Sequence, residues 1–186
     1  MSRMMLKIRI SLVLCSLLAM AVLSSTVAFA HSGAEREVRN AARKVFEDLK
    51  AHRYADLYHS LPELSRQRVS RESFEASLKR TEELYRLDRI EIGAVHVNGD
   101  IAVAETTMFG HVFKPLDSDG KIIAQQYLVK ENGVWKVATG DRNLVRRFLS
   151  ENPEFAKNFP VRQPRVLINR DGQWIDVSSL SQRRRG

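Results

Sequence analysis

Cysteine is almost missing from this chain: there is one, Cys15, in 186 residues. A single thiol forms neither an intramolecular disulfide nor a multi-cysteine metal site, which excludes stapled mini-domains, zinc ribbons and iron–sulfur proteins. The five histidines, His31, His52, His59, His96 and His111, show no H-x-x-x-H or H-E-x-x-H spacing, so no metal site is expected. G-x-G-x-x-G, the P-loop and G-x-S-x-G are absent too. Nucleotide-binding and serine-hydrolase readings therefore lack support, and no cofactor is expected. The 5 prolines and 9 glycines are sparse and aperiodic, which excludes collagen-like and low-complexity classes. What is present is 44% hydrophobic beside 28% charged residues, the balance of a folded domain, in a length that suits one domain.

The longest stretch without charge runs from Ser11 to Ala30, preceded by Arg3, Lys7 and Arg9. It ends Val27-Ala28-Phe29-Ala30, a small-x-small cleavage pattern, so residues 1–30 read as a signal peptide and the mature chain as starting at His31. The alternative is an uncleaved anchor, since the run reaches the roughly 20 apolar residues that span a bilayer. Cys15 follows Leu14 in mid-run, which argues against lipidation. Cleavage removes three of the 30 Lys and Arg and none of the 22 Asp and Glu, so the formal charge falls from +8 to +5. It also removes the only cysteine, which suits an oxidising compartment. The expected location is periplasmic or extracellular.

Beyond the leader, Ser32 and Glu35 form a capping-box pattern. Val38, Ala41, Ala42, Val45, Phe46 and Leu49 then recur at helical spacing, with Arg39, Arg43, Glu47 and Lys50 on the other side. Tyr54 to Leu61 reads as a short helix stopped at Pro62. Ser70 is placed to cap a third helix that carries Phe74, Leu78, Thr81 and Leu84 toward a core. From Arg89 the period becomes two. Ile90 and Ile92 alternate, then Val95 and Val97 alternate out of phase around Gly93-Ala94, the signature of a bulge. Asn98-Gly99-Asp100 is a hairpin turn, Ile101–Val112 a long strand, Lys114–Gly120 a polar loop, and Lys121–Lys130 a third strand that turns through Asn132-Gly133 into Val134–Ala138. Asp141 caps a further helix with Leu144, Val145, Phe148 and Leu149, and Asn152-Pro153 restarts a short one. A last hairpin folds around Asp171-Gly172. Leu128–Trp135 and Leu167–Trp174 look alike; two independent hairpins with the same turn chemistry account for this better than a duplicated module. The fold class is α+β: N-terminal helices on a strongly bent antiparallel sheet, with an extra C-terminal helix and hairpin.

Tyr54-Ala55-Asp56-Leu57-Tyr58 after a long first helix, and Tyr127-Leu128-Val129-Lys130-Glu131-Asn132-Gly133-Val134-Trp135-Lys136-Val137 near the sheet's end, resemble the nuclear-transport-factor-two-like superfamily. This is the cone-shaped fold shared with ketosteroid isomerases and SnoaL-type cyclases. The resemblance covers about residues 35–141. It implies a cone domain over 31–141, followed by an additional helix, hairpin and basic tail over 142–186. Its members include enzymes, binders and assembly modules, so fold alone does not choose among them.

Pairing the first two strands through Asn98-Gly99 puts His96, Ile101, Val103, Glu105, Thr107, Phe109 and His111 on one face. Ile90, Ile92, Val95, Val97, Ala102, Ala104, Thr106 and Met108 share the other. The second, purer set is expected under the helices. The first is the outer face, where the resemblance implies a partner subunit, so His96, Glu105 and His111 are interface candidates and a homodimer is expected there. Glu105 and His111 are six residues apart, about 20 Å in a strand, too far to share a proton. Ketosteroid-isomerase chemistry needs a carboxylate facing a tyrosine or a protonated acid. No acid falls on the core face, Asp88 and Asp100 being nearest, so no catalytic residue is assigned. Tyr58, Met108 and Tyr127 are the ligand-pocket candidates. Arg183-Arg184-Arg185 form a cationic tail suited to solubility or weak contact with a lipid surface. Without interleaved aromatics, nucleic acid is not an expected partner. The functional expectation is an exported, non-catalytic binding or accessory protein holding an apolar small molecule or peptide in the cone. The alternatives are a cofactor-free isomerase or dehydratase, or a structural module of an envelope assembly.

Overall fold

The computed structural model describes residues 33–114 and 117–178. The leader, the Ser32 cap and the arginine tail lie outside the described residues. The chain divides between Arg36 and Glu37 into two units. Of the first, only residues 33–36 are described, as the start of a helix; every other described residue belongs to the second.

Helix α1 spans 33–50 and turns its apolar stripe inward, with Val38, Ala42 and Phe46 buried and Arg43, Glu47 and Lys50 exposed. It ends in a Schellman motif: Arg53 N–H donates to the Asp48 carbonyl at 2.8 Å and His52 N–H to that of Leu49 at 3.2 Å. His52, at φ 57°, occupies the left-handed position that glycine usually takes. Helix α2 (Tyr54–His59) buries Tyr54 and Leu57. Pro62 does stop the chain, but it then opens a further helix, α3 (Glu63–Arg68), which the periodicity does not reveal. Ser70 caps α4 (Arg71–Lys79) by accepting from Ser73 N–H. Here expectation and structure differ, because α4 buries no residue fully and Leu84 in the following 3-10 turn (Glu82–Leu84) is 42% exposed.

Among the described residues six antiparallel strands follow: β1 (Tyr85–Asn98), β2 (Ile101–Val112), β3 (Ser118–Glu131), β4 (Val134–Val137), β5 (Arg165–Arg170) and β6 (Gln173–Asp176). The polar loop is shorter than its composition suggests, since β3 already begins at Ser118. Strand order is β1-β2-β3-β5-β6, with β4 also on β3. The β1–β2 register slips between Ile92 and Val95, at Gly93-Ala94, and again between Leu87 and Arg89. Each slip adds twist and bends the sheet. Asn132 and Gly133 (φ 51° and 78°) and Asp171 and Gly172 (φ 53° and 81°) make two turns with both central residues left-handed. That geometry matches the twist of the strands they join.

Each face of this sheet has its own core. On one, Val38 of α1 packs with Val95, Ala102, Ala104, Leu128, Trp135 and Val137. Thr106 is also buried there, its hydroxyl donating to the Ala124 carbonyl at 3.1 Å. On the other, Ile101, Val103 and Tyr127 pack against Leu144, Val145 and Leu149 of helix α5 (Arg142–Glu151) and Phe155 of helix α6 (Pro153–Asn158). The fold is therefore α+β. Its C-terminal helices roof the face that strand parity marks as outer, and its last hairpin widens the sheet. Fully burying a side chain the size of Leu144 or Leu149 contributes about 1.5–3 kcal/mol, so this second roof is a substantial part of the fold's stability.

Candidate functional site

Tyr58, Met108 and Tyr127 do not converge. The Tyr58 hydroxyl lies 3.1 and 3.0 Å from the Arg66 and Val69 carbonyls, and its ring packs on Phe74, so it ties α2 to the α3–α4 junction. Met108 is half-buried on the α1 face, between Ile90 and Ile122 on the neighbouring strands. Tyr127 pairs with Val103 on the opposite face.

The surroundings of Tyr127 follow from a gap in the sheet. The same edge of β3 pairs with β5 through residues 120–123 and with β4 through 128–131, leaving 124–127 without a strand partner on that edge. Other groups satisfy this backbone. Tyr127 N–H donates to Thr139 Oγ1 at 2.8 Å, and Ala138 N–H donates to the Tyr127 carbonyl. The Tyr127 hydroxyl donates to the Phe159 carbonyl at 2.9 Å, and Gln125 Oε1 accepts Arg162 N–H at 3.0 Å. Burial pushes the Tyr127 phenol up, against the pull of nearby Arg162. A cavity of about 290 Å³ opens at the gap, walled by Gln125, Tyr127, Arg142, Val145, Arg146 and Arg162 among others.

The three interface candidates do share this face, and each has a partner within the chain. The His96 ring stacks on Phe159 with centroids 4.3 Å apart. Glu105 meets Arg162 Nη1 at 3.6 Å. His111 places Nδ1 2.9 Å from Asp119 and Nε2 3.0 Å from Asp117. The part of the face at Ile101 and Val103, expected to meet a second copy, is occupied by α5 and α6. On this face Glu105 and Tyr127 are linked only through Gln125, which is in register with Glu105 and hydrogen-bonded to the Tyr127 hydroxyl. Beyond the end of α1, by contrast, Glu82 sits directly against the Tyr54 hydroxyl and His52, and burial together with Glu82 pushes that phenol up. The Glu105 carboxylate is 53% exposed and already paired with the Arg162 guanidinium. What these groups can do together is bind.

His111 has a measurable consequence. With a carboxylate on both ring nitrogens, the ring satisfies both acceptors only as imidazolium, so its pKa is raised, most by Asp119 and next by Asp117. A raised value makes the stabilisation complete below the unfolded value near 6.5 and lost as pH climbs through the folded one. NMR titration of His111 should give a midpoint above 6.5, and Asp119→Asn should lower it more than Asp117→Asn. A midpoint at or below 6.5 in the unsubstituted protein would refute the bidentate clamp.

Arg142 and Arg146 escape motif reading, yet a trace exists in the sequence. They stand four apart, and neither has an acidic residue three or four positions away, unlike Arg147 with Glu151.

No protein-family model matches the chain, and no curated protein matches it. Among solved structures it is similar to a function unknown protein from Mycobacterium tuberculosis, with 12% identity and a TM-score of 0.44 over 60% of this chain and 71% of that one.

Proposed function

We propose that this is an exported, non-catalytic binding or accessory protein of the nuclear-transport-factor-two-like kind. In this reading it holds an apolar small molecule against the sheet around Met108. One observation carries it: Ile90, Met108, Ile122 and Val166 stand in register across β1, β2, β3 and β5. All four are apolar and none is fully buried, Ile122 being 36% exposed. Two residues along β2, Thr106 is sealed, as are Ala104 and Ala102 beyond it. A sheet face left to water normally carries polar residues, so an apolar row spanning four strands marks a surface built to be covered by something else.

The test uses Nile red, a neutral apolar probe, and native mass spectrometry of the protein taken from the exported fraction. Saturable binding is expected, weakened about tenfold by Ile122→Glu, because a carboxylate on the row must be desolvated by the bound probe. The exported form should begin at His31. Non-saturable binding, or equal binding by the variant, removes the ligand reading. A chain starting at Met1 or Ser2 removes cleavage. Capture of a peptide in place of a small molecule in the mass spectrum would reassign the ligand.

A further inference from the structure

We propose that the cavity between α5 and the 159–164 segment is a binding site for a small organic anion, held by Arg142, Arg146 and Arg162. It lies on the sheet face opposite Met108 and is independent of the apolar row.

The placement of these charges breaks two rules of helix electrostatics. Arg142 is the first residue of α5, where the helix dipole disfavours a cation, and no acidic residue occupies that first turn. Arg146, one turn on, brings a like charge onto the same stripe, which destabilises an isolated helix. Both side chains line the cavity, and neither pairs with a carboxylate among the described residues. The adjacent Asp141 does not offset them: its carboxylate is engaged by the backbone N–H groups of Asn143 and Leu144, by Ser65 and by Arg68. Arg162 enters from the facing wall, its backbone fixed by Gln125 and its guanidinium near Glu105. No carboxylate lines the cavity among the described residues. Local rules broken without internal compensation point to a compensation from outside.

The remaining lining narrows the ligand. The Tyr127 hydroxyl donates to Phe159 and Thr139 Oγ1 accepts from Tyr127 N–H, so, beside the neutral amides of Gln125 and Gln163, the charged donors of the lining are the guanidinium forks. These match the paired oxygens of a carboxylate or phosphate. Val145, Val161 and Pro164 add apolar surface to the same walls for a short organic body. About 290 Å³ is at the small end of ligand pockets, which suits a metabolite-sized anion rather than a polymer.

Benzoate, inorganic phosphate and neutral benzyl alcohol are the probes, read by the Nε–Hε resonances of the three arginines and by thermal shift. Saturable shifts at all three are expected with benzoate or phosphate, weakening with added salt, and the tighter of the two names the head group. The double variant Arg142→Gln/Arg146→Gln should bind about tenfold or more weakly, as loss of charge-assisted hydrogen bonds implies. Without ligand it should melt no earlier than the unsubstituted protein, because a like-charge pair has been removed. Should it melt earlier, Arg146→Lys decides: the charge stays and the fork is lost, so binding must still weaken. The proposal is overturned if neither anion saturates, if benzyl alcohol shifts the same resonances equally, or if the variants bind like the unsubstituted protein.

Discussion

Gly110→Ala should destabilise the protein by about 3 kcal/mol, at the upper end of what overpacking usually costs. A Cβ at Gly110 would lie 2.2 Å from the Arg86 carbonyl oxygen, 3.2 Å from its carbon and 3.3 Å from Leu87 Cα. All three are backbone atoms and cannot swing aside. They are there because the β1–β2 register slips between Leu87 and Arg89, carrying β1 across the position opposite Gly110. Gly93, beside the other slip, is the control. Its Cβ would meet Glu105 at 3.6 and 3.7 Å, ordinary contact distances, so Gly93→Ala should be tolerated. Urea denaturation of the two variants checks the pair, and equal, small losses would show that the slip at Leu87 leaves more room than these distances imply.

Asp48→Asn should cost a similar amount, also about 3 kcal/mol, through charge rather than volume. The Asp48 side chain is 1% exposed and accepts from Lys44 Nζ and from Arg53 Nε and Nη2, at 3.0 and 2.7 Å for the latter two. Breaking a buried ion pair costs about 3–5 kcal/mol. The lower figure applies because Lys44 and Arg53 are 61% and 49% exposed and return to water. Burial alone would raise the pKa of Asp48, but the bonds from Lys44 and Arg53 outweigh it and hold the carboxyl below its ordinary 3.8. A lowered value makes this stabilisation complete above pH 3.8 and lost as pH falls through the folded value. The gap between the two proteins should therefore be constant from about pH 7 to 5 and close in stronger acid. A gap as wide at pH 3 as at pH 7, taken from denaturation curves at each pH, would refute the charge argument.

The contrast between Gly110 and Gly93 shows where sequence reading stops. Both are glycines in bent strands, and the bulge at Gly93-Ala94 is visible because the apolar alternation changes phase there. The slip at Leu87 leaves no such trace, since Asp88 and Arg89 are polar in either phase. Strand parity sorted Ala102, Ala104 and Val95 onto the α1 side, because side chains alternate whatever packs on them. The same parity placed Ile101 and Val103 on the opposite side, without disclosing that α5 and α6 would cover them. The cavity beside Tyr127 was illegible for a related reason. It exists because two strands distant in sequence share one edge of β3 and leave a gap, and its arginines come from two separate stretches of chain, Arg142 and Arg146 from α5 and Arg162 from the segment after α6.

Local chemistry by itself determined α1, the caps at Ser70 and Asp141, the bulge at Gly93 and the turns at Asn132-Gly133 and Asp171-Gly172. Each depends on dihedral preferences and hydrogen bonds within a few residues. Only the tertiary structure decided what those pieces meet. The two look-alike hairpins make the division plain: their turn residues adopt nearly the same φ angles, yet their tryptophans end in opposite surroundings. Trp135 is buried in the α1 core with its Nε1–H donated to Glu37, whereas Trp174 lies 38% exposed on the outermost strand beneath Lys121. A turn is set by its own backbone, but burial is set by whichever element arrives to exclude water, and that element is coded elsewhere in the chain.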